Sequence, residues 1–153
     1  MQNPLKAYAG ATQVASPLDA IAPPDDWHAA RSVQVDLRAL GMPRVNLLLI
    51  GANSVIHNVI ETLLMDLHEP IAHWGRGEPL VLPPDSSAGT LILHDVGELP
   101  HWEQRRLLRW LERATGRTQV ISTTSTSLLP RVQDGTFVDT LYYRLNTICL
   151  DVV

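Results

Sequence analysis

The run Val45–Ile50, apolar at nearly every position and closed by Gly51, limits the folds open to this chain more than any other feature. A strand with one face in water alternates apolar and polar residues, whereas an unbroken run suits a strand covered on both faces. A helical pattern follows directly: Val55, Val59, Leu63 and Leu67 recur on one side, with Ile56, Ile60 and Leu64 beside them. Further strands are expected at Ile71–Trp74, Thr90–His94, Thr118–Thr123 and Thr147–Val152, with a helix over Trp102–Ala114 that has Pro100 near its start. Alternation of this kind predicts a three-layer α-β-α sandwich around a mainly parallel five-stranded sheet. Ligands in such folds sit at the carboxyl ends of the strands. Gly51, Asp95 and Thr124 mark that edge.

The chain ahead of this pattern reads differently. Residues 1–24 are rich in Ala, Pro, Gly, Gln and Ser without periodicity, which predicts a flexible tail or linker before a core spanning 25–153. Asp25 and Asp26 can cap a helix running to about Leu40, with Trp27, Ala30, Val33 and Leu37 near one face and Gly41 and Pro43 ending it. Val33, Val35 and Leu37 also alternate, so a strand stays open there.

At 153 residues and 45% hydrophobic content the chain suits one core. A formal charge of −4 with 12 basic residues gives no general attraction to nucleic acid. Cys149 is the single cysteine, which excludes an internal disulfide, and its apolar setting predicts a packed thiol. No stretch long enough to span a bilayer and no secretory leader pattern is present, so a cytoplasmic protein without membrane contact is expected.

Three segments, GTLILHDVGELPHWEQRRLLRWLE, TQVISTTSTSLL and DGTFVDTLYYRLN, together resemble the AAA+ domain of bacterial sigma-54-dependent transcription activators. The likeness covers about Val45–Val152, and DTLYYRLN after Gly-x-Phe is its most specific piece. The resemblance implies a P-loop NTPase core. In that family the domain is an ATPase that assembles into rings and remodels RNA polymerase bound to sigma-54.

Aligned on the family's phosphate loop, G-x-x-x-x-G-K-[ST], the chain reads GANSVIHN. Gly51 is kept, Ile56 replaces the second glycine, His57 the lysine, and Asn58 the last position. A β-branched residue resists the positive φ that wraps backbone N–H groups around a phosphate, and a largely neutral imidazole is no fixed cation. The only lysine in the chain is Lys6. His94 stands where the family has its first magnesium-site acid, and Asp95 where the second acid polarises water. Ser125 aligns with the sensor asparagine, Val138 with one expected arginine, and Arg144 with the other. The region between His73 and Ala88 lacks the GAFTGA loop that grips sigma-54, and the core is expected to work without the family's helical lid or helix-turn-helix.

The resemblance thus implies a degenerate core, with Gly51, His57, Asn58, Asp95 and Arg144 as a vestigial nucleotide site, no catalytic residues, no metal and no cofactor. The expected role is a regulatory or protein-interaction module, partnered by a related AAA+ regulator or by a second copy, without direct sigma-54 contact. The alternative is a nucleotide-sensing domain that binds ATP or ADP weakly without hydrolysis. A third reading, a metal-dependent hydrolase using His57, His94 and Asp95, lacks an H-x-x-x-H or H-E-x-x-H spacing. Ser54, Ser122 and Ser125 lie near strand ends without a G-x-S-x-G elbow, which argues against a serine hydrolase. In WEQRRLLRWLER, the residues Arg105, Arg109 and Arg113 with Glu103 and Glu112 read as a solvated face, Leu107, Leu108 and Leu111 as the inward one, and Trp102 and Trp110 as packing residues.

Overall fold

The computed structural model describes residues 44–114 and 117–153. The expected tail over 1–24 and the helix or strand expected over 25–40 lie outside the described residues. The elements are β1 (Leu47–Gly51), α1 (Asn53–Leu64), β2 (Ile71–Trp74), β3 (Gly89–Leu93), a 3₁₀ turn (Val96–Glu98), α2 (His101–Arg113), β4 (Thr118–Thr124), α3 (Leu129–Gln133), α4 (Asp139–Leu145) and β5 (Ile148–Val152).

All five strands run parallel in the order β2-β3-β4-β1-β5. Within β1, successive side chains point to opposite layers, so Leu48 joins one core while Leu47 and Leu49 join the other. The first core packs Leu48, Leu91, Leu93 and Val120 under Leu107 and Trp110 of α2 and Leu141 and Leu145 of α4. The second packs Leu47, Leu49, Ile92 and Ile121 under Ile56, Ile60 and Leu63 of α1. Helices on both faces explain the unbroken apolar run of β1, since neither face meets water. Full burial of each such leucine contributes about 1.5–3 kcal/mol.

One polar side chain inside this packing holds distant segments together. Gln104 of α2 is buried, and its Nε2 donates to the carbonyls of Leu99, at 2.9 Å, and Thr136, at 3.1 Å. Its Oε1 accepts from the Val138 N–H at 2.8 Å. The amide thereby fixes DGTFVD against α2, and α4 starts at the next residue, Asp139.

Three sequence expectations are corrected here. Cys149 is exposed instead of packed, because β5 is an edge strand that turns Ile148, Leu150 and Val152 toward the core and Cys149 and Asp151 outward. Glu103 is buried instead of lying on the solvated face of α2, and its Oε2 has no hydrogen-bond partner. Trp102 is 62% exposed, while Trp110 is buried and donates its Nε1–H to the Pro83 carbonyl at 2.7 Å. The helix phase accounts for both α2 corrections. The inward stripe is Glu103, Gln104, Leu107 and Trp110. Trp102 lies five residues from Leu107, about 140° around the helix.

Candidate functional site

At the carboxyl ends of β1, β3 and β4 lies an open cleft of about 460 Å³ lined by Asn53, Ser54, Ile56, His57, His94, Asp95 and Thr123. One wall is α1. This helix begins at Asn53, two residues after the end of β1, with Ala52 as its N-cap. The Val55 and Ile56 N–H groups donate to the Ala52 carbonyl at 3.0 and 2.9 Å. The segment aligned with a phosphate loop is therefore helix almost from its first residue, and those two amides are committed to it. Ile56 is only 4% exposed and packs in the second core with Leu47, Leu49 and Ile121.

Gly51 closes β1 against β5. A Cβ built there would collide with the Val152 carbonyl oxygen. Packing of the edge strand thus requires glycine at this position without reference to any ligand. His57 stands exposed on α1 with Nε2 3.1 Å from Oε1 of Glu61, one turn on. Asn58 is exposed, and its carbonyl accepts from the Thr62 hydroxyl at 2.9 Å.

The opposite wall comes from the end of β3. Asp95 adopts left-handed backbone geometry, φ 50°, which aspartate tolerates better than most residues. Its N–H donates to Oγ1 of Thr123 at 3.1 Å, tying the turn to β4. His94 is half-buried, and its Nε2 faces Nδ1 of His73 at 3.3 Å. Burial lowers the basicity of His94 first, then the neighbouring His73 and, more weakly, His57; Asp95 acts in the other direction. Sequence reading did not single out His73. The signal that could have found it is the parallel pairing of IAHW with TLIL, which brings the two strand ends side by side.

A narrower recess adjoins the cleft, lined by Asp95, Gly97, Glu98, Thr124, Ser125, Thr126, Leu128 and Arg131. Arg131 donates to the Gly97 carbonyl, and its other nitrogen lies 3.4 Å from Glu98, whose second oxygen is 3.7 Å from Arg76. Ser125, the position aligned with the sensor asparagine, is exposed at this rim.

Asp95 and His57 thus share the cleft, and Gly51 ends the strand beneath it. Arg144 is elsewhere. Its backbone carbonyl accepts from Asn46 Nδ2 at 3.0 Å, just ahead of the start of β1. Five residues of extended chain separate that point from Gly51, about 16 Å at 3.3 Å per residue. Its side chain points to solvent. Among the described residues no three His, Cys, Asp or Glu side chains converge to hold a metal ion. No helix among them is long and apolar enough to cross a membrane.

The architecture matches solved structures of NtrX from Brucella abortus, with a TM-score of 0.61 at 15% identity over 80% of this chain and 35% of that one. The ADP complex of NtrX gives a TM-score of 0.60 at 16% identity, over 79% of this chain and 34% of that one. At such identities the likeness concerns the fold. Sequence relatives include the nitrogen fixation protein VnfA of Azotobacter vinelandii, 41% identical over 73 residues, covering 40% of this chain and 14% of VnfA. The regulatory protein AtoC of Escherichia coli (strain K12) is 38% identical over 76 residues, covering 42% of this chain and 16% of AtoC. The chain therefore matches only a small part of the length of these relatives. The family model of the sigma-54 interaction domain matches residues 32–153. With its five parallel strands and AAA+ core, the chain belongs to the sigma-54 interaction domain family.

Proposed function

We propose that this chain is a sigma-54-activator-type core that does not hydrolyse ATP and acts in transcription regulation by associating with protein partners. The observation that carries this reading is the helical state of Asn53–Asn58 with Ile56 in the core. A phosphate loop works by leaving successive backbone N–H groups free to point at the phosphates, with a lysine at the β/γ position. Here two of those amides bond to Ala52, and the residue at the lysine position is an imidazole directed at Glu61. His94, in place of the first acid, supplies no negative charge for magnesium and faces another imidazole.

The partner would be a second copy or a related AAA+ regulator. Arg144 supports this direction, since it is exposed, does not line the cleft and has its backbone carbonyl beside Asn46, ahead of the start of β1. The sensing alternative draws on the open cleft and on the ADP complex of NtrX. Titration calorimetry with ATP and magnesium, run beside light scattering with and without a related full-length activator, tests the proposal. The expected result is no heat at millimolar nucleotide together with a mass increase on mixing. Saturable heat supports the sensing alternative, and a strictly monomeric chain that never forms a mixed species refutes the association.

A further inference from the structure

The outer wall of the cleft carries a contact that the family likeness does not explain. His73, on the edge strand β2, and His94, just beyond β3, present Nδ1 and Nε2 to each other at 3.3 Å. Their ring planes lie within 6° of parallel and the ring centroids are 5.6 Å apart. Face-to-face stacking would bring the centroids much closer than this. The centroid separation instead exceeds the nitrogen separation by about one ring radius at each end. Both facing nitrogens therefore lie on the line joining the ring centres. The two imidazoles are coplanar and meet edge to edge, the lone pair of one aimed at the N–H of the other. Lone pairs set along one line do not converge on a common point beside them, so the arrangement is that of a hydrogen bond and not of a tetrahedral metal site.

A neutral imidazole offers one donor and one acceptor, while an imidazolium offers two donors. The contact consequently accommodates one proton. With both rings protonated, two donors and two positive charges oppose each other across the same gap. The surroundings decide which ring yields. His94 is half-buried and its backbone N–H is fixed to the Trp74 carbonyl at 2.9 Å, whereas the His73 side chain is exposed and free to swing into water. The groups acting on His94 are His73 from β2, Asp95 beside it and His57 from α1; His57 itself lies against Glu61.

We propose that His73 and His94 form a one-proton latch across the cleft wall, closed while at least one ring is neutral and a single proton lies between the facing nitrogens, and opened when both rings are protonated, which drives the His73 ring into solvent. Strand pairing between β2 and β3 persists in the open state, because its backbone bonds do not involve the rings. What changes is the wall of the cleft, where His94 loses its imidazole partner and becomes a cation beside Asp95.

The sign of the effect on stability follows from burial and the neighbouring imidazole, which depress the basicity of His94. Near and below the ordinary histidine value of about 6.5 the unfolded chain binds more protons than the folded one. The stabilising contribution is present above that value and is lost as the pH falls toward the depressed one.

The latch is tested on the full chain by NMR titration of the histidine rings in the wild type and in His73→Gln, a change at an exposed side chain that leaves the core untouched. The midpoint of His94 should rise by about half a pH unit in the variant, because a neutral amide cannot become a second cation. Melting measured at about pH 7.5 and about pH 5.5 should show the wild type losing roughly 3 °C more than the variant. A His94 midpoint that is the same in both proteins, or equal losses in melting temperature, overturns the latch.

Discussion

Placing glycine at position 56, where the family's phosphate loop has one, tests whether the helix has replaced the loop. Ile56 is 4% exposed, so Ile56→Gly removes a buried side chain from the second core. Truncation of a buried isoleucine to alanine costs about 2–5 kcal/mol, including the cavity left beneath α1. Going on to glycine inside a helix adds about 1 kcal/mol. The position lies in the first turn of α1, where the backbone N–H of residue 56 can keep its bond to the Ala52 carbonyl. A total near 4.5 kcal/mol is therefore expected, a large part of the roughly 5–15 kcal/mol that holds a domain together. Urea unfolding followed by circular dichroism reads this loss as a lower midpoint at unchanged slope. Calorimetry with ATP and magnesium on the same sample should stay silent, since the lysine and the first acid are still absent. A variant that loses less than about 1 kcal/mol while gaining nucleotide affinity would instead show a loop merely resting in a helical state.

Other substitutions address the remaining structure. Gln104→Leu strips partners from two carbonyls and one N–H, and at about 1 kcal/mol for each bond it should lower stability by about 3 kcal/mol, measured by the same unfolding assay. Trp102→Ala should change stability by less than about 0.5 kcal/mol and Trp110→Ala by about 3–5 kcal/mol, a contrast that thermal melting of the two variants checks. Desolvation, then the Asp151 carboxylate, raises the Cys149 thiol above its ordinary value. Despite its exposure, it should therefore react with iodoacetamide more slowly than free cysteine at about pH 8; a rate equal to or above that of the free amino acid contradicts this.

Those residues also show where the sequence was readable. The strands at Ile71–Trp74 and Thr118–Thr124 and the helix over His101–Arg113 declare themselves through apolar runs and period, because both arise from local geometry meeting a two-sided core. The run TICLDVV misleads for the opposite reason. An edge strand with one open face can still carry a small apolar residue such as Cys149 outward, and composition does not reveal which strand ends the sheet. Burial of Glu103 is hidden likewise, since a carboxylate among arginines reads as a solvent face until the helix phase is fixed by Leu107 and Trp110. In the cleft, comparison with the motif sets Ile56, His57 and His94 against a glycine, a lysine and an acid, an expectation that rests on the sequence alone. The commitment of Ile56 to the core and the pairing of His94 were not visible there. The latter depends on parallel register with a strand whose histidine lies 21 residues away.

The cleft residues matter together because several of them have a structural engagement. Gly51 is required by Val152, Ile56 fills space between α1 and the sheet, Asp95 is pinned by Thr123, and His94 is held by His73. Restoring one motif residue would therefore disturb a packed or hydrogen-bonded contact before it could form a phosphate contact, and the losses fall on different elements. Arg144 stands outside this network, with an exposed side chain and a backbone carbonyl that accepts from Asn46 ahead of the start of β1. Its substitution by alanine should accordingly leave unfolding unchanged within about 0.5 kcal/mol. Under the proposed association the same substitution should weaken formation of the mixed species seen by light scattering. The two readouts separate a residue that faces a partner from one that supports the fold.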